Sequence, residues 1–406
     1  MQNDQQKEWT ILFYLNGNNE LQPEMLQSKL FIEKEGSDGT VNIVIQYSFV
    51  EKHIIEIIRP KYRFNNDAEG QSGVIRYSAA GPDSTFHEEL RNINMADPMC
   101  FYNFLEWGIT NYPAQKYILV LGGHVFQYIG LMPDYSQDLP YLMGYPEMVN
   151  VLNLIKKNIG KKIDLLVLDT CYVNRIEMLY ELGKEPDPPV SNVLTYINGG
   201  PASGLPYDLL IKTIKKINST VTDKFLLSKL MENLNYDLIA YEIDHNKLES
   251  IKNLYSDLAD CRLNFNSSSC SFPYELLTNV DENLPWFDLR KKLQDYMPEL
   301  TICYNNISRK PFGHFYVSAQ TISDQHKIDL YHRLAFAKKN SWSKLLYGLH
   351  SPINTSDEAE TNVHPTILKS NDLYALISAM NPNLGLNENN EILSKLIEYK
   401  GWKWKN

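Results

Sequence analysis

The chain has 406 residues, of which 43% are hydrophobic and 12% aromatic, and its formal net charge is -10 at pH 7. This composition supplies enough apolar surface for one large core or two medium ones, which excludes a disordered chain. The acidic balance and the lack of a basic stripe disfavour nucleic-acid binding.

The first hundred residues alternate apolar runs with helical stretches. Strands are predicted over residues 9–15 and 41–48, with a helix over about 20–35 between them. The quartet NGNN after the first strand is interpreted as a turn. The segments HIIEIIR and GVIRYS are predicted to form a short hairpin or an extension, and a helix is predicted over 99–110.

Two later apolar runs end at residues able to do covalent chemistry. KYILVLGGH ends at His124, and KKIDLLVLDTC ends at Cys171, with a helix predicted over 143–158 between them. A strand, helix and strand in this order form a right-handed crossover, which makes the strands parallel and brings both carboxyl ends to one edge. Reactive groups gather at that edge in open α/β sheets, so the pair predicts a cysteine nucleophile with a histidine partner. Taken singly, each residue is more often a core or loop residue.

The remaining elements predict an α/β fold. A helix is predicted from Cys171 to about residue 182, followed by a strand over SNVLTYINGG, so that strands and helices alternate. This alternation predicts a mainly parallel sheet with helices on both faces. Five widely spread cysteines without a CxxC pair, and histidines without metal-ligand spacing, predict no disulfide scaffold, no metal site and no cofactor. The acidic run at 356–360 is interpreted as a solvated linker.

These segments resemble the clostripain family of cysteine peptidases. The resemblance is carried by WTILFYLNGNNEL, VNIVIQYS, NMADP, the two segments ending at His124 and Cys171, and GLPYDLL at 204–210. It implies a caspase-like three-layer sandwich, with a catalytic domain over 1–215 and a C-terminal α+β extension over 216–350 packed on it. A linker and helical tail would occupy 351–406.

The resemblance also implies roles for particular residues. Cys171 is the expected nucleophile, and His124 is the expected general acid and base. The oxyanion would be held by the backbone N–H of Cys171 and that of Gly123 or Val125. The residues expected to bind the substrate are Asp169, at the base of a pocket for a P1 Arg or Lys, and Asn198 and Gly199.

Two departures from the family pattern bear on activity. Relatives have glycine where this chain has Val125, and they place acidic residues in the segment that here reads YINGG. A β-branched residue does not easily adopt a positive φ, so the turn after His124 is expected to differ. Because the segment YINGG has no acidic residue, a neutral or narrower specificity at P1 is an alternative to cleavage after Arg or Lys.

The sequence also bears on processing and cellular context. Residues 121–155 contain no Lys or Arg, so self-cleavage after a basic residue is not expected there, and one intact chain is predicted. The start lacks a secretory pattern and no window is long and apolar enough to span a membrane, which predicts a cytoplasmic protein. The expected partner is a peptide or protein substrate, such as a leader undergoing intracellular maturation, and a monomer is favoured.

Three functions remain open from the sequence. The favoured one is an active thiol endopeptidase. The second is an inactive homologue that binds peptides without cleaving them, and the third is a structural protein in which Cys171 is buried and inert. The presence of histidine, cysteine and the preceding Asp169 together argues against the third.

Overall fold

The computed structural model describes residues 6–62, 72–80, 88–90, 93–265, 273–278, 281–348, 350, 352 and 364–404. The predicted acidic linker at 356–360, one of the five cysteines, Cys270, and His87 lie outside these residues. Among the helices of the described ranges, none has the length and apolarity needed to cross a bilayer.

Thirteen strands lie in the described part of the chain. They are β1 (Lys7–Gly17), β2 (Val41–Phe49), β3 (Gly73–Ser78), β4 (Glu88–Leu90), β5 (Ala114–Gly122), β6 (Val125–Phe126), β7 (Gly130–Asp134), β8 (Tyr141–Gly144), β9 (Ile163–Asp169), β10 (Val190–Tyr196), β11 (Leu238–Glu242), β12 (Thr301–Asn305) and β13 (Thr366–Ile367).

Nine of these strands form one sheet in the order β12-β11-β10-β9-β5-β1-β2-β3-β4. The five central strands, from β10 to β2, are parallel to one another, and the strand pairs beyond them at both ends of the sheet are antiparallel. The central strands are rich in apolar residues on both faces because a parallel sheet is covered on both faces. This mainly parallel sheet confirms the predicted fold class.

Fourteen α-helices lie in the described ranges. They are α1 (Gln22–Glu35), α2 (Lys52–Ile58), α3 (Pro98–Asn111), α4 (Tyr145–Ile159), α5 (Ile176–Gly183), α6 (Tyr207–Ile214), α7 (Asp223–Leu234), α8 (His245–Leu263), α9 (Pro273–Thr278), α10 (Phe287–Tyr296), α11 (Gln325–His332), α12 (Ser341–Tyr347), α13 (Ser370–Met380) and α14 (Leu386–Lys400). A single 3₁₀ turn spans Met297–Leu300.

The sheet separates two apolar cores. Along β1, Leu12 and Tyr14 face one core, whereas Ile11 and Phe13 face the other, as the two-residue period of a strand requires. The first core includes apolar residues of α3, α4, α5 and α8, and the second includes residues of α1, α6 and α7. Helices therefore cover both faces of the sheet, as predicted.

Several local predictions were wrong. HIIEIIR lies within helix α2, where Ile54, Ile55 and Ile58 are buried at helical spacing. The helix predicted over 143–158 begins at Tyr145, with a proline in its first turn, because the preceding residues form β8. Residues 172–175 are not helical, and α5 begins at Ile176.

The connection between β5 and α4 contains a second sheet that the sequence analysis did not predict. Strands β6, β7 and β8 pair antiparallel, and β13, near the carboxyl end of the chain, pairs with β8. Strands β11 and β12 continue one end of the main sheet past residue 215. The domain boundaries at 215 and 350 stay predictions.

Candidate active site

His124 and Cys171 follow two adjacent parallel strands. Gly122 at the end of β5 pairs with Asp169 at the end of β9. Each candidate catalytic residue lies two positions beyond this pair, so the register brings both to matching places at one edge of the sheet. The His124 side chain retains 15% of its accessible surface, and Cys171 is half-buried.

A third strand, β1, supplies an acidic residue at the same edge. The turn after β1 is held by buried asparagines: Asn16 and Asn19 both donate side-chain hydrogen bonds to the Pro133 carbonyl, at 2.9 and 2.8 Å. The Asn18 carbonyl accepts a hydrogen bond from the Tyr135 N–H at 2.9 Å. These contacts fix the position of the next residue, Glu20, whose side chain is fully buried.

Glu20 lies against the candidate histidine. Its Oε1 is 3.1 Å from Nε2 of His124, and its Oε2 accepts a hydrogen bond from the Tyr135 hydroxyl at 2.7 Å. Oε1 and Nε2 are close enough for an ion pair, although their angles do not satisfy hydrogen-bond geometry. Burial favours the neutral acid, but the His124 imidazole and the Tyr135 hydroxyl outweigh it and lower the pKa of Glu20.

The surroundings of the Cys171 thiol favour its neutral form. Its Sγ donates a hydrogen bond to the Gly200 carbonyl at 3.5 Å. Burial, with a smaller contribution from the Asp169 charge, raises the pKa of the thiol. A thiolate at this position therefore needs a base that takes its proton when substrate is bound.

Of the three N–H groups expected to hold an oxyanion, one is occupied. Gly123 donates its N–H to the Asp169 carbonyl at 3.4 Å. Val125 lies in β6, paired with Leu131, and does not have a positive φ, which explains how a β-branched residue fits after the histidine. The Cys171 N–H donates to no described backbone carbonyl. The Cys171 N–H is therefore available to an oxyanion, whereas that of Gly123 is occupied.

Asp169 is buried and already hydrogen-bonded. Its Oδ1 accepts from the Tyr196 hydroxyl at 2.8 Å, and its Oδ2 accepts from the Tyr207 hydroxyl at 2.6 Å and the Leu205 N–H at 2.9 Å. Burial raises the pKa of Asp169 even though these hydrogen bonds lower it. The backbone at Gly204 lies directly on the carboxylate, since a Cβ there would be 2.6 Å from Oδ2.

The two remaining predicted substrate contacts are exposed beside the nucleophile. Asn198 accepts a hydrogen bond from the Tyr172 N–H at 3.0 Å, and the Tyr172 ring lies 3.2 Å from where a Cβ on Gly199 would be. Tyr172 has a φ of 57°, a left-handed conformation that is uncommon for a residue with a bulky side chain, and 63% of it is exposed.

Sequence reasoning missed Glu20 and the two tyrosines that bond Asp169. Glu20 could have been found by the criterion that selected His124 and Cys171, because it follows a buried strand directly at the turn NGNN. No sequence signal marks Tyr196 and Tyr207, whose hydroxyls reach Asp169 only in the folded chain.

Comparison with known proteins adds to this geometry. A sequence model of the clostripain family matches residues 70–344. A secreted C11 cysteine protease from Bacteroides thetaiotaomicron, solved with an irreversible peptide inhibitor, superposes with a TM-score of 0.52 at 14% identity, covering 82% of this chain and 98% of that one. A second structure of a secreted C11 cysteine protease from Bacteroides thetaiotaomicron, iotapain, gives 0.51 at 13% identity, covering 84% and 99%. The search of curated proteins found no match.

Proposed function

Because the chain belongs to the clostripain family, we propose that it is a cysteine endopeptidase in which Cys171 is the nucleophile and His124 transfers protons. The observation that carries this proposal is the register of β5 and β9, which places the two residues at matching positions beyond the pair Gly122 and Asp169. The contact between Glu20 and His124 supports it, because a carboxylate against an imidazole orients the ring and stabilises the imidazolium that forms when the ring takes a proton.

The proposed reaction begins with the neutral thiol. His124 accepts the Cys171 proton as Sγ attacks the peptide carbonyl carbon, and the imidazolium that forms is stabilised by Glu20. The carbonyl oxygen becomes an oxyanion held by the Cys171 N–H. As the C–N bond breaks, His124 protonates the leaving amine. Water then attacks the thioester, giving its proton to His124, and the released thiolate of Cys171 is reprotonated from that imidazolium.

Cleavage after Arg or Lys stays a prediction, and the contacts of Asp169 do not favour it. Three donors already occupy a carboxylate that is 5% exposed. A P1 guanidinium would have to displace or bypass two tyrosine hydroxyls to form a charge-assisted pair. The expected role in intracellular peptide or leader maturation is likewise retained as a proposal about the natural substrate.

A second candidate function is peptide binding without cleavage. It is favoured by the raised pKa of the Cys171 thiol, to which burial contributes most, and by the occupied Gly123 N–H, because both lower the capacity for acyl transfer. In this case the chain would bind a peptide beside Cys171 while the thiol stays protonated.

Digestion of a mixed peptide library, followed by mass spectrometry, tests the proposal. Wild type should cleave peptides, Cys171→Ala should cleave none, and Cys261→Ala should cleave as the wild type does, since Cys261 is a half-buried thiol on α8. Binding without cleavage by the wild type would establish the second candidate. Cleavage that survives Cys171→Ala would refute the assignment of the nucleophile.

A further inference from the structure

A cavity of about 950 Å³ is lined in part by Tyr172, the residue that follows Cys171. The segments that follow each active-site strand line it: Gln127 and Tyr128 after β5, Tyr172 after β9, and Asn198 after β10. The segment 313–324 and helices α9 and α10 supply other parts of its wall. A cavity of this volume is within the usual range for ligand pockets. A peptide with its scissile carbonyl at Cys171 can therefore place a neighbouring side chain in it.

The charge of this cavity is opposite to that of the whole chain. Its charged lining residues are Arg175, Arg290, Lys327 and Asp324, three cations and one carboxylate, whereas the chain carries a net charge of -10. Clefts lined by one sign of charge with low-dielectric walls concentrate the opposite charge. The cavity therefore favours an anionic group.

Arg175 is the cation best placed to bind that group. Its Nε donates to the Tyr172 carbonyl at 3.3 Å, and no ion pair joins it to any described carboxylate. By contrast, Lys327 lies 3.3 Å from Asp372 and over the Phe126 ring. Arg175 is half-buried, immediately before α5, so its guanidinium presents unused donors to a partly desolvated cavity. A carboxylate is the group whose geometry matches two parallel guanidinium donors.

We propose that the cavity is a substrate subsite for an acidic side chain, with Arg175 binding the carboxylate of a Glu or Asp near the scissile bond. The inference rests on the proposed function, because the proposed cleavage is what places a peptide at Cys171. The preferred substrates are then acidic peptides, and Arg175 sets this preference.

The test uses peptides with a single Glu, scanned over four positions on each side of the scissile bond, each paired with the Gln peptide of the same length. Binding is measured by fluorescence anisotropy with Cys171→Ala in the full chain, so that cleavage does not enter. Because hydrogen bonds to charged groups contribute strongly, Glu at one position should bind about 10-fold or more tighter than Gln. Adding Arg175→Gln should remove that preference, and Arg175→Lys should keep part of it.

Arg309→Gln is the matched control, because it removes the same charge from an exposed position outside the cavity. It should leave the Glu preference unchanged. Equal binding of all Glu and Gln pairs, or a preference that persists in Arg175→Gln, would overturn the subsite. If the wild type cleaves no peptide while the Arg175-dependent preference is present, the subsite stands and the proposed peptidase activity fails.

Discussion

Replacing Glu20 with Gln tests the proposed proton transfer most directly. The change keeps the size of the side chain and removes the charge 3.1 Å from Nε2 of His124. At that separation, with an effective dielectric constant of about 20, the attraction between two unit charges is about 5 kcal/mol. The cost of burying the carboxylate offsets part of this attraction, so the net effect on the imidazolium must be smaller.

We expect Glu20→Gln to lower kcat/KM by about 10- to 100-fold, or about 1.4 to 2.7 kcal/mol, the range found when a carboxylate partner of a metal-binding histidine is removed. The amide keeps its oxygen toward the Tyr135 hydroxyl and turns its NH2 toward Nε2. The histidine then accepts at Nε2 and carries its proton on Nδ1, which disfavours the imidazolium.

The assay is steady-state cleavage of one peptide found in the library digestion, measured as kcat/KM across pH 4 to 9. Glu24→Gln is the control, because Glu24 lies nearby in the first turn of α1 and its carboxylate pairs with Arg59 at 2.7 Å instead of with His124. The pKa of Glu20 is lowered in the folded chain. The ionised carboxylate therefore stabilises the folded chain above about pH 4, and this contribution to the free energy of unfolding is lost as pH falls through the lowered pKa. Wild-type kcat/KM and an unchanged pH profile in Glu20→Gln would refute the role of this contact.

Three other predictions concern stability and processing. Burial raises the pKa of Asp134 to about 6, so the folded chain holds a proton that the unfolded chain releases, and the free energy of unfolding should fall as pH rises from about 4 to 6. Asp134→Asn should flatten this slope in denaturant titrations, and the exposed Asp138→Asn should not. Gly204→Ala should destabilise the chain by about 1 to 3 kcal/mol more than Gly160→Ala. Both glycines have a positive φ, but only at residue 204 would a Cβ contact a neighbouring side chain. Equal losses of stability in thermal denaturation would therefore contradict the packing argument. Intact-mass measurement should show one chain, and a cut between His124 and Ile155 would disprove the absence of self-cleavage.

The sequence by itself determined the central sheet and the position of the two candidate catalytic residues. Runs such as 11–15 and 165–168 are wholly apolar because both faces of a parallel strand are buried. Since the carboxyl ends of parallel strands meet at one edge, strand ends alone placed His124 and Cys171 there.

Tertiary structure decided the features that depend on residues distant in the chain. HIIEIIR became a helix because its isoleucines pack into a core, and β8 formed because strands β7 and β13 pair with it. The contact of Glu20 with His124 and the tyrosine hydroxyls on Asp169 join positions 27 to 104 residues apart. A local sequence pattern indicates the periodicity and the burial of one segment. Contacts between distant segments form only after those segments have packed together.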